Sequence, residues 1–209
     1  MDQSPSEEFL KPYREAVRRH GATFKATLWS SPDAQCLRFD VMINLAGFSG
    51  CTILDLGCGR GDFAARLLER AIPFTGLIGV DAIPEMIEAA RGRHLDRCWF
   101  HVADVLCRPQ TMTEWNADFI CISGMLNTMD QQTAQRVVED AYEAAAQGVI
   151  FNFLSDRPHP RWRKRDVGPA ARFDTLDWLD WATKLSSRVS FTQEYLDGHD
   201  ATILIRHDG

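Results

Sequence analysis

Residues 53–62, Ile-Leu-Asp-Leu-Gly-Cys-Gly-Arg-Gly-Asp, constrain this chain more than any other stretch. Cys51 to Leu56 are almost wholly apolar, as a strand buried on both faces of a parallel sheet must be. Gly57, Gly59 and Gly61 then permit a tight turn and a close backbone approach to a ligand. From Asp62 the period changes to a helical one, with Phe63, Leu67, Leu68 and Ile72 on one stripe. Strand, glycine turn and helix start together make a nucleotide-binding corner, because N–H groups at a helix start attract negative charge.

The turn departs from the dinucleotide fingerprint Gly-x-Gly-x-x-Gly. Its third glycine comes one residue early, and Asp62 stands in the fingerprint position. A carboxylate there repels a pyrophosphate, which disfavours an NAD-dependent oxidoreductase. It suits a ligand with an adenosine and a cationic or zwitterionic tail. A second apolar run, Leu77-Ile78-Gly79-Val80, ends in Asp81, near the spacing at which an acid reaches ribose hydroxyls. A third, Cys98 to Ala103, ends in Asp104. In an open α/β sheet all these tips lie at the ligand-binding end.

Asp55-Leu56-Gly57-Cys58-Gly59-Arg60-Gly61, Gly79-Val80-Asp81 and Ala103-Asp104-Val105 together resemble the first three motifs of the class I S-adenosylmethionine-dependent methyltransferases. The resemblance covers roughly Cys51 to Ser155. It implies a cofactor, S-adenosylmethionine, and is nearly silent about the acceptor. It sets the glycine loop (Asp55, Gly57, Cys58, Gly59) against the methionine part, Asp81 with Ala82 at the ribose, Asp104 with Val105 at the adenine, and Ser123 at the fourth strand tip. It further implies a doubly wound α/β fold: a mostly parallel seven-stranded sheet, an antiparallel C-terminal hairpin, helices on both faces and an N-terminal helical cap.

The expected organisation is one domain, with residues 1–50 as the cap and 51–209 as the Rossmann-like core. Met1 to Glu8 reads as frayed, and Pro12 as the opener of a short helix ending at His20. Ser31-Pro32-Asp33 starts a second helix with Leu37, Val41, Leu45 and Phe48 at core spacing. Gln35 and Arg38 share one of its faces. For Arg38 two readings stand: a ligand of the methionine carboxylate, or a solvated helix charge. Trp29 is read as a wall of the site or as packing.

After a fourth strand, Ile120 to Ser123, the tip continues through Asn127, which either orients a substrate or makes a turn. The Asn-Pro-Pro-aromatic tetrapeptide of amino-directed DNA and protein enzymes is absent there. Asp130 caps a helix that Gly148 is expected to stop. Residues 156–173 carry Arg157, Arg161, Arg163, Lys164, Arg165 and Arg172 against two carboxylates, Asp156 and Asp166. Leaving a central strand at the ligand end, this basic loop reads either as a lid that attracts an anionic small molecule, with Arg161 and Arg163 as contacts, or as a solvated surface. Thr175 to Leu185 reads as a helix with Leu176 inward, and Arg188–Tyr195 with Ala201–Arg206 as a hairpin around Asp197-Gly198.

The net charge of −6 argues against whole-surface affinity for DNA or an anionic membrane. RNA remains open through the basic loop. No apolar run is long enough to span a bilayer, and residues 1–6 do not make a secretion signal. The six cysteines fall in no Cys-x-x-Cys or Cys/His ligand pattern, so the expectation is reduced thiols, a cytoplasmic protein and no metal. The reading that results is a methyltransferase acting on a small-molecule acceptor, with no catalytic residue named because direct displacement at a sulfonium methyl needs chiefly alignment. The alternatives are a non-catalytic S-adenosylmethionine-binding domain or subunit, and a methyltransferase acting on RNA or protein.

Overall fold

The computed structural model describes residues 6–208. Its helices are α1 (Glu7–His20), α2 (Pro32–Ala46), α3 (Asp62–Glu69), α4 (Pro84–Arg91), α5 (Gln131–Ala144), the single turn α6 (Pro160–Arg163) and α7 (Thr175–Leu185). Its strands are β1 (Thr52–Leu56), β2 (Gly76–Asp81), β3 (Cys98–Val102), β4 (Phe119–Ile122), β5 (Gly148–Leu154), β6 (Arg188–Thr192) and β7 (Asp200–Arg206). The seven strands form one sheet in the order β3-β2-β1-β4-β5-β7-β6. All neighbours run parallel except β7, which is antiparallel to both β5 and β6. This is the mixed, doubly wound sheet that the apolar runs and the resemblance imply.

Side-chain alternation sends the strands' residues to two separate cores. Ile53, Leu77, Phe119, Cys121 and Ile150 pack with Phe39 of α2, Phe63 of α3 and Ile87 of α4 on one face. Leu54, Leu56, Ile120 and Ile122 pack on the other with Val138 of α5 and Trp178 of α7. Because both faces are covered, β1 and β4 carry no outward polar stripe. The chain winds from β1 outward to β3 and then returns to β4, so the switch point lies between β1 and β4, next to the glycine turn.

Four local readings are corrected. Helix α1 opens at Glu7, with Pro12 inside it. Acids in its first turn and Arg18, Arg19 and His20 in its last favour the longer helix electrostatically, which helps offset the hydrogen bond that Pro12 cannot donate. Helix α2 begins as expected, Ser31 Oγ accepting from Ala34 N at 3.1 Å. Its buried face, however, is Gln35, Arg38, Phe39, Met42, Ile43 and Ala46, whereas Leu37 is 40% exposed. The apolar spacing missed this face because the buried stripe contains Gln35 and Arg38, the latter paired with Asp200 far along the chain; Phe48, past the helix end, is buried as expected. Leu176 is exposed on α7, whereas Trp178 and Ala182, also expected inward, are buried. Gly148 opens β5 instead of stopping α5, which ends at Ala144. The expected frayed segment lies mostly outside the described residues.

Candidate active site

The glycine turn is held by its own N–H groups. Gly57 N and Cys58 N both donate to Val80 O, at 2.9 and 3.0 Å, and Gly61 N donates to Cys58 O at 2.9 Å. Gly59 N donates to Asp81 Oδ2 at 2.9 Å, and Ile83 N to Asp81 Oδ1 at 2.9 Å. The turn therefore offers a ligand little of the donor cradle that a pyrophosphate needs. Gly61 adopts φ +73°, and a Cβ there would sit 2.8 Å from the Phe100 ring of β3. Its early position is thus set by close packing of the turn on the sheet.

In front of the turn lies a cleft enclosing about 950 Å³ including its open mouth. Asp55, Gly57, Cys58, Gly59, Asp81, Ala82, Asp104, Val105 and Ser123 all line it. So do Asp62 and Gln35, and Phe9, Leu10 and Tyr13 of α1, which covers the opening. Its charged lining is four carboxylates, Asp55, Asp62, Asp81 and Asp104, with no Lys, Arg or His among the described lining residues.

The carboxylates differ in how they are held. Asp62 pairs with Arg93 at 2.6 Å and Arg60 at 3.3 Å. Asp104 accepts Leu106 N and Cys107 N on Oδ1 and the Ser6 hydroxyl on Oδ2. Burial raises the pKa of Asp81 against the lowering effect of its backbone donors. Asp55 is 3% exposed, and its Oδ2 has no hydrogen-bond partner. Burial first, then the charges of Asp81 and Asp62, push its carboxyl well above the usual range. The Cys58 thiol is likewise pushed well up by burial and by Asp55 and Asp81, so it stays a neutral wall and not a nucleophile.

A second cavity adjoins the cleft and shares Tyr13, Thr27, Trp29, Gly124 and Thr128 with it. Trp29 is the partition, and Gly124 is what lets it stand there. A Cβ on Gly124 would lie 2.3 Å from the indole, and the φ of +79° disfavours any other residue. Tyr13 closes the top, donating to Gly124 O at 2.8 Å; burial raises its hydroxyl to about 12. Asn152 Nδ2 donates to Ser123 Oγ, and its Oδ1 accepts Gly124 N, which fixes the β4 tip between the two spaces.

Arg38 belongs to the second cavity and not to the acidic cleft. Its Nε and Nη2 donate to Asp200 Oδ1 and Oδ2 at 2.5 and 2.6 Å, and its guanidinium lies 4.5 Å from the Trp29 ring centre. A buried guanidinium so engaged is neither a solvated helix charge nor a group free to grip a carboxylate. Asn127 lines the same cavity, but its amide braces the loop: Nδ2 donates to Ala171 O at 2.7 Å, and Oδ1 accepts Leu154 N at 3.0 Å. Arg161 pairs with Asp197, and Arg163 Nε donates to Pro158 O at 3.4 Å; both are exposed and line neither space. The basic loop reaches the cavity through Arg165 instead.

The basic loop is folded onto the body. Arg172 donates to Ser155 O, Trp162 O and His199 Nδ1, and Trp162 stacks on the His199 ring at 4.4 Å. Among the described residues no group of three His, Cys, Asp or Glu is placed to hold a metal, and no helix is long and apolar enough to cross a membrane.

Residues 48–165 match the family model described as a methyltransferase domain. The chain belongs to the class I S-adenosylmethionine-dependent methyltransferases. An O-methyltransferase family protein from Burkholderia thailandensis is similar in fold, with a TM-score of 0.71 at 16% identity over 98% of this chain and 64% of that one. The magnesium protoporphyrin IX methyltransferase of Synechocystis PCC 6803 with bound SAH gives 0.63 at 12% identity over 98% of both chains. The small RNA methyltransferase HEN1 gives 0.65 at 17% identity over 87% of this chain and 26% of that one. At such identities the likeness is one of fold. No curated protein sequence matches this methyltransferase.

Sequence reasoning missed Tyr13, Asn152 and His199 as parts of the site. Arg165 lay inside the basic loop already singled out, and Gly124 directly follows a strand tip. Nothing local marks Tyr13, whose contact to Gly124 spans 111 residues.

Proposed function

We propose that this methyltransferase binds S-adenosylmethionine in the acidic cleft and transfers its methyl group to a small molecule held in the adjoining cavity. The observation that carries this reading is the cleft's polarity: four carboxylates line it, and the N–H groups of Gly57, Cys58, Gly59 and Gly61 are spent on the protein. Such a surface accepts hydrogen bonds and attracts cations, which suits ribose hydroxyls, an adenine amino group and the ammonium–sulfonium end of the cofactor. When bound, S-adenosylmethionine supplies an electrophilic methyl carbon.

The chain's own residues supply alignment and exclusion of water. Asp81 is presented by two backbone donors with lone pairs to spare for hydroxyls. Asp104 is braced in the same manner, and the orphaned Oδ2 of Asp55 awaits a donor. Phe9, Leu10 and Tyr13 cover the cleft, and Trp29 with Gly124 forms its shared border with the second cavity, the side from which an acceptor would approach the methyl group. Calorimetry with S-adenosylmethionine, S-adenosylhomocysteine and NAD tests the reading. It expects the first two to bind and NAD to bind far more weakly, and tighter binding of NAD would reverse it.

A further inference from the structure

The second cavity contains two hydrogen-bond donors that no part of the protein uses. His199 is buried at 9% exposure, and its Nδ1 lies 2.9 Å from Arg172 Nη2. A guanidinium can only donate, so Nδ1 accepts and the ring proton sits on Nε2. Nε2 has no protein partner among the described residues, and His199 lines the cavity. The second donor is Arg165. Its guanidinium lies 4.9 Å from the Trp162 ring centre, and that same ring stacks on His199. No carboxylate pairs with Arg165 among the described residues, in contrast to Arg38 and Arg161.

We propose that Arg165 and His199 form an anion subsite that holds a carboxylate of the acceptor, so that the substrate is a small organic monoanion. The single charge follows from the lining. Arg38 and Asp200 cancel each other, and Asp166 stands beside Arg165 in the chain with Oδ1 accepting Gly168 N. Arg172, behind His199, leaves a modest positive excess. A dianion would meet Asp166 and Asp200 without enough cations to balance both charges. A fork from Arg165 with one N–H from His199 matches the two oxygens of a carboxylate. The apolar walls, Trp29, Leu28 and Leu154, accept the carbon part of such a molecule. His199 acts here as a fixed neutral donor. Burial and the nearby Arg172, Arg38 and Arg165 lower its pKa to about 4, so it carries its single proton on Nε2 throughout the neutral range.

This inference rests on the methyltransferase reading for the word acceptor, but the subsite is tested by itself. Ligand-observed NMR compares benzoate, its neutral isostere benzamide and inorganic phosphate, with and without S-adenosylhomocysteine. Benzoate is expected to bind at least about 10-fold more tightly than benzamide and more tightly than phosphate. Arg165→Ser, at an exposed position whose side chain touches the Trp162 ring but makes no ion pair among the described residues, should weaken benzoate about 10-fold while leaving S-adenosylhomocysteine affinity unchanged. His199→Phe keeps the stack on Trp162 and removes the N–H, and should weaken benzoate likewise. His199→Gln restores an acceptor for Arg172 and a donor for the cavity and should recover most of the affinity. Equal binding of benzoate and benzamide, or benzoate binding indifferent to Arg165→Ser, overturns the subsite. Failure of S-adenosylhomocysteine to bind, with benzoate still held by Arg165, would instead overturn the cofactor reading.

Discussion

The cleft beside β1 and β2 and the cavity beside β5 and β7 share Trp29 and Gly124 and are built in opposite ways. The cleft is acidic, assembled from strand tips close in sequence, and shaped by backbone hydrogen bonds around Asp81. The cavity holds a buried ion pair that joins α2 to β7 across 162 residues, and a basic loop pinned by Arg172 and Asn127. A binding surface made of backbone and short side chains is held by the fold itself. One made of long charged side chains must also be neutralised by the fold. The cleft should therefore tolerate substitutions at a cost in binding, whereas the cavity's buried Arg38–Asp200 pair can be broken only at a cost in stability.

The largest expected effect tests that contrast in the cavity. Asp200→Ala leaves the Arg38 guanidinium buried and unpaired, so stability should fall by about 3–5 kcal/mol in urea unfolding. The double change Arg38→Met with Asp200→Leu should recover most of this. A single change that costs as little as an exposed pair, under about 1 kcal/mol, would break the comparison.

Next comes the cleft. Asp81→Ala removes the acceptor proposed for ribose hydroxyls, each charge-assisted bond being worth about 1.5–3 kcal/mol, so cofactor affinity should drop by at least about 100-fold. The fold should survive, since Gly59 N and Ile83 N become exposed to a wet cleft. Calorimetry beside a thermal melt separates the two; parental affinity would reduce Asp81 to a strand-end residue.

Acid and base should act oppositely on the two regions. His199 is held neutral, with a folded pKa of about 4 below the unfolded value of about 6.5. Its contribution is complete above pH 6.5 and is lost as pH falls toward 4, a loss of about 2–3 kcal/mol that His199→Gln should remove. Asp55 is raised by burial and by Asp81 and Asp62, so its contribution is complete below the unfolded carboxylate pKa and is lost as pH rises through the folded one. Asp55→Asn should therefore melt higher than the parent at pH 7 without cofactor and bind S-adenosylmethionine more weakly. Melting curves from pH 5 to 8 check both signs, and an Asn variant that melts lower at pH 7 would show that Asp55 is ionised and satisfied.

The smallest effect is at the loop's outer surface. Arg161→Ser with Arg163→Ser should change cofactor affinity, and the salt dependence of binding to the cavity, by less than about 2-fold, because neither lines either space. A large rise in the acceptor's KM would put these two arginines back into the site.

The strand tips were legible because their signals are local. An apolar run names a buried strand, Gly57-Cys58-Gly59 names the turn, and Asp81 and Asp104 follow their strands directly. The cleft's lining therefore follows from order along the chain once the sheet is parallel. The buried face of α2 was not legible, because Gln35 and Arg38 look like surface residues until Asp200 stands opposite. Among the loop's arginines the sequence offers no distinction: Arg161, Arg163 and Arg165 are equivalent in composition and spacing. Only the packing of Trp162 on His199 and the pairing of Arg161 with Asp197 leave Arg165 as the cation that faces the cavity. Sequence by itself marked the buried strands, the order of their tips and an acidic ligand end, through period and nearest-neighbour chemistry, while the seven-stranded sheet was implied by the family resemblance. Tertiary structure alone decided which charges are spent and which are available, because a charge's role is set by what is brought within a few ångströms of it, and those partners lie tens to hundreds of residues away.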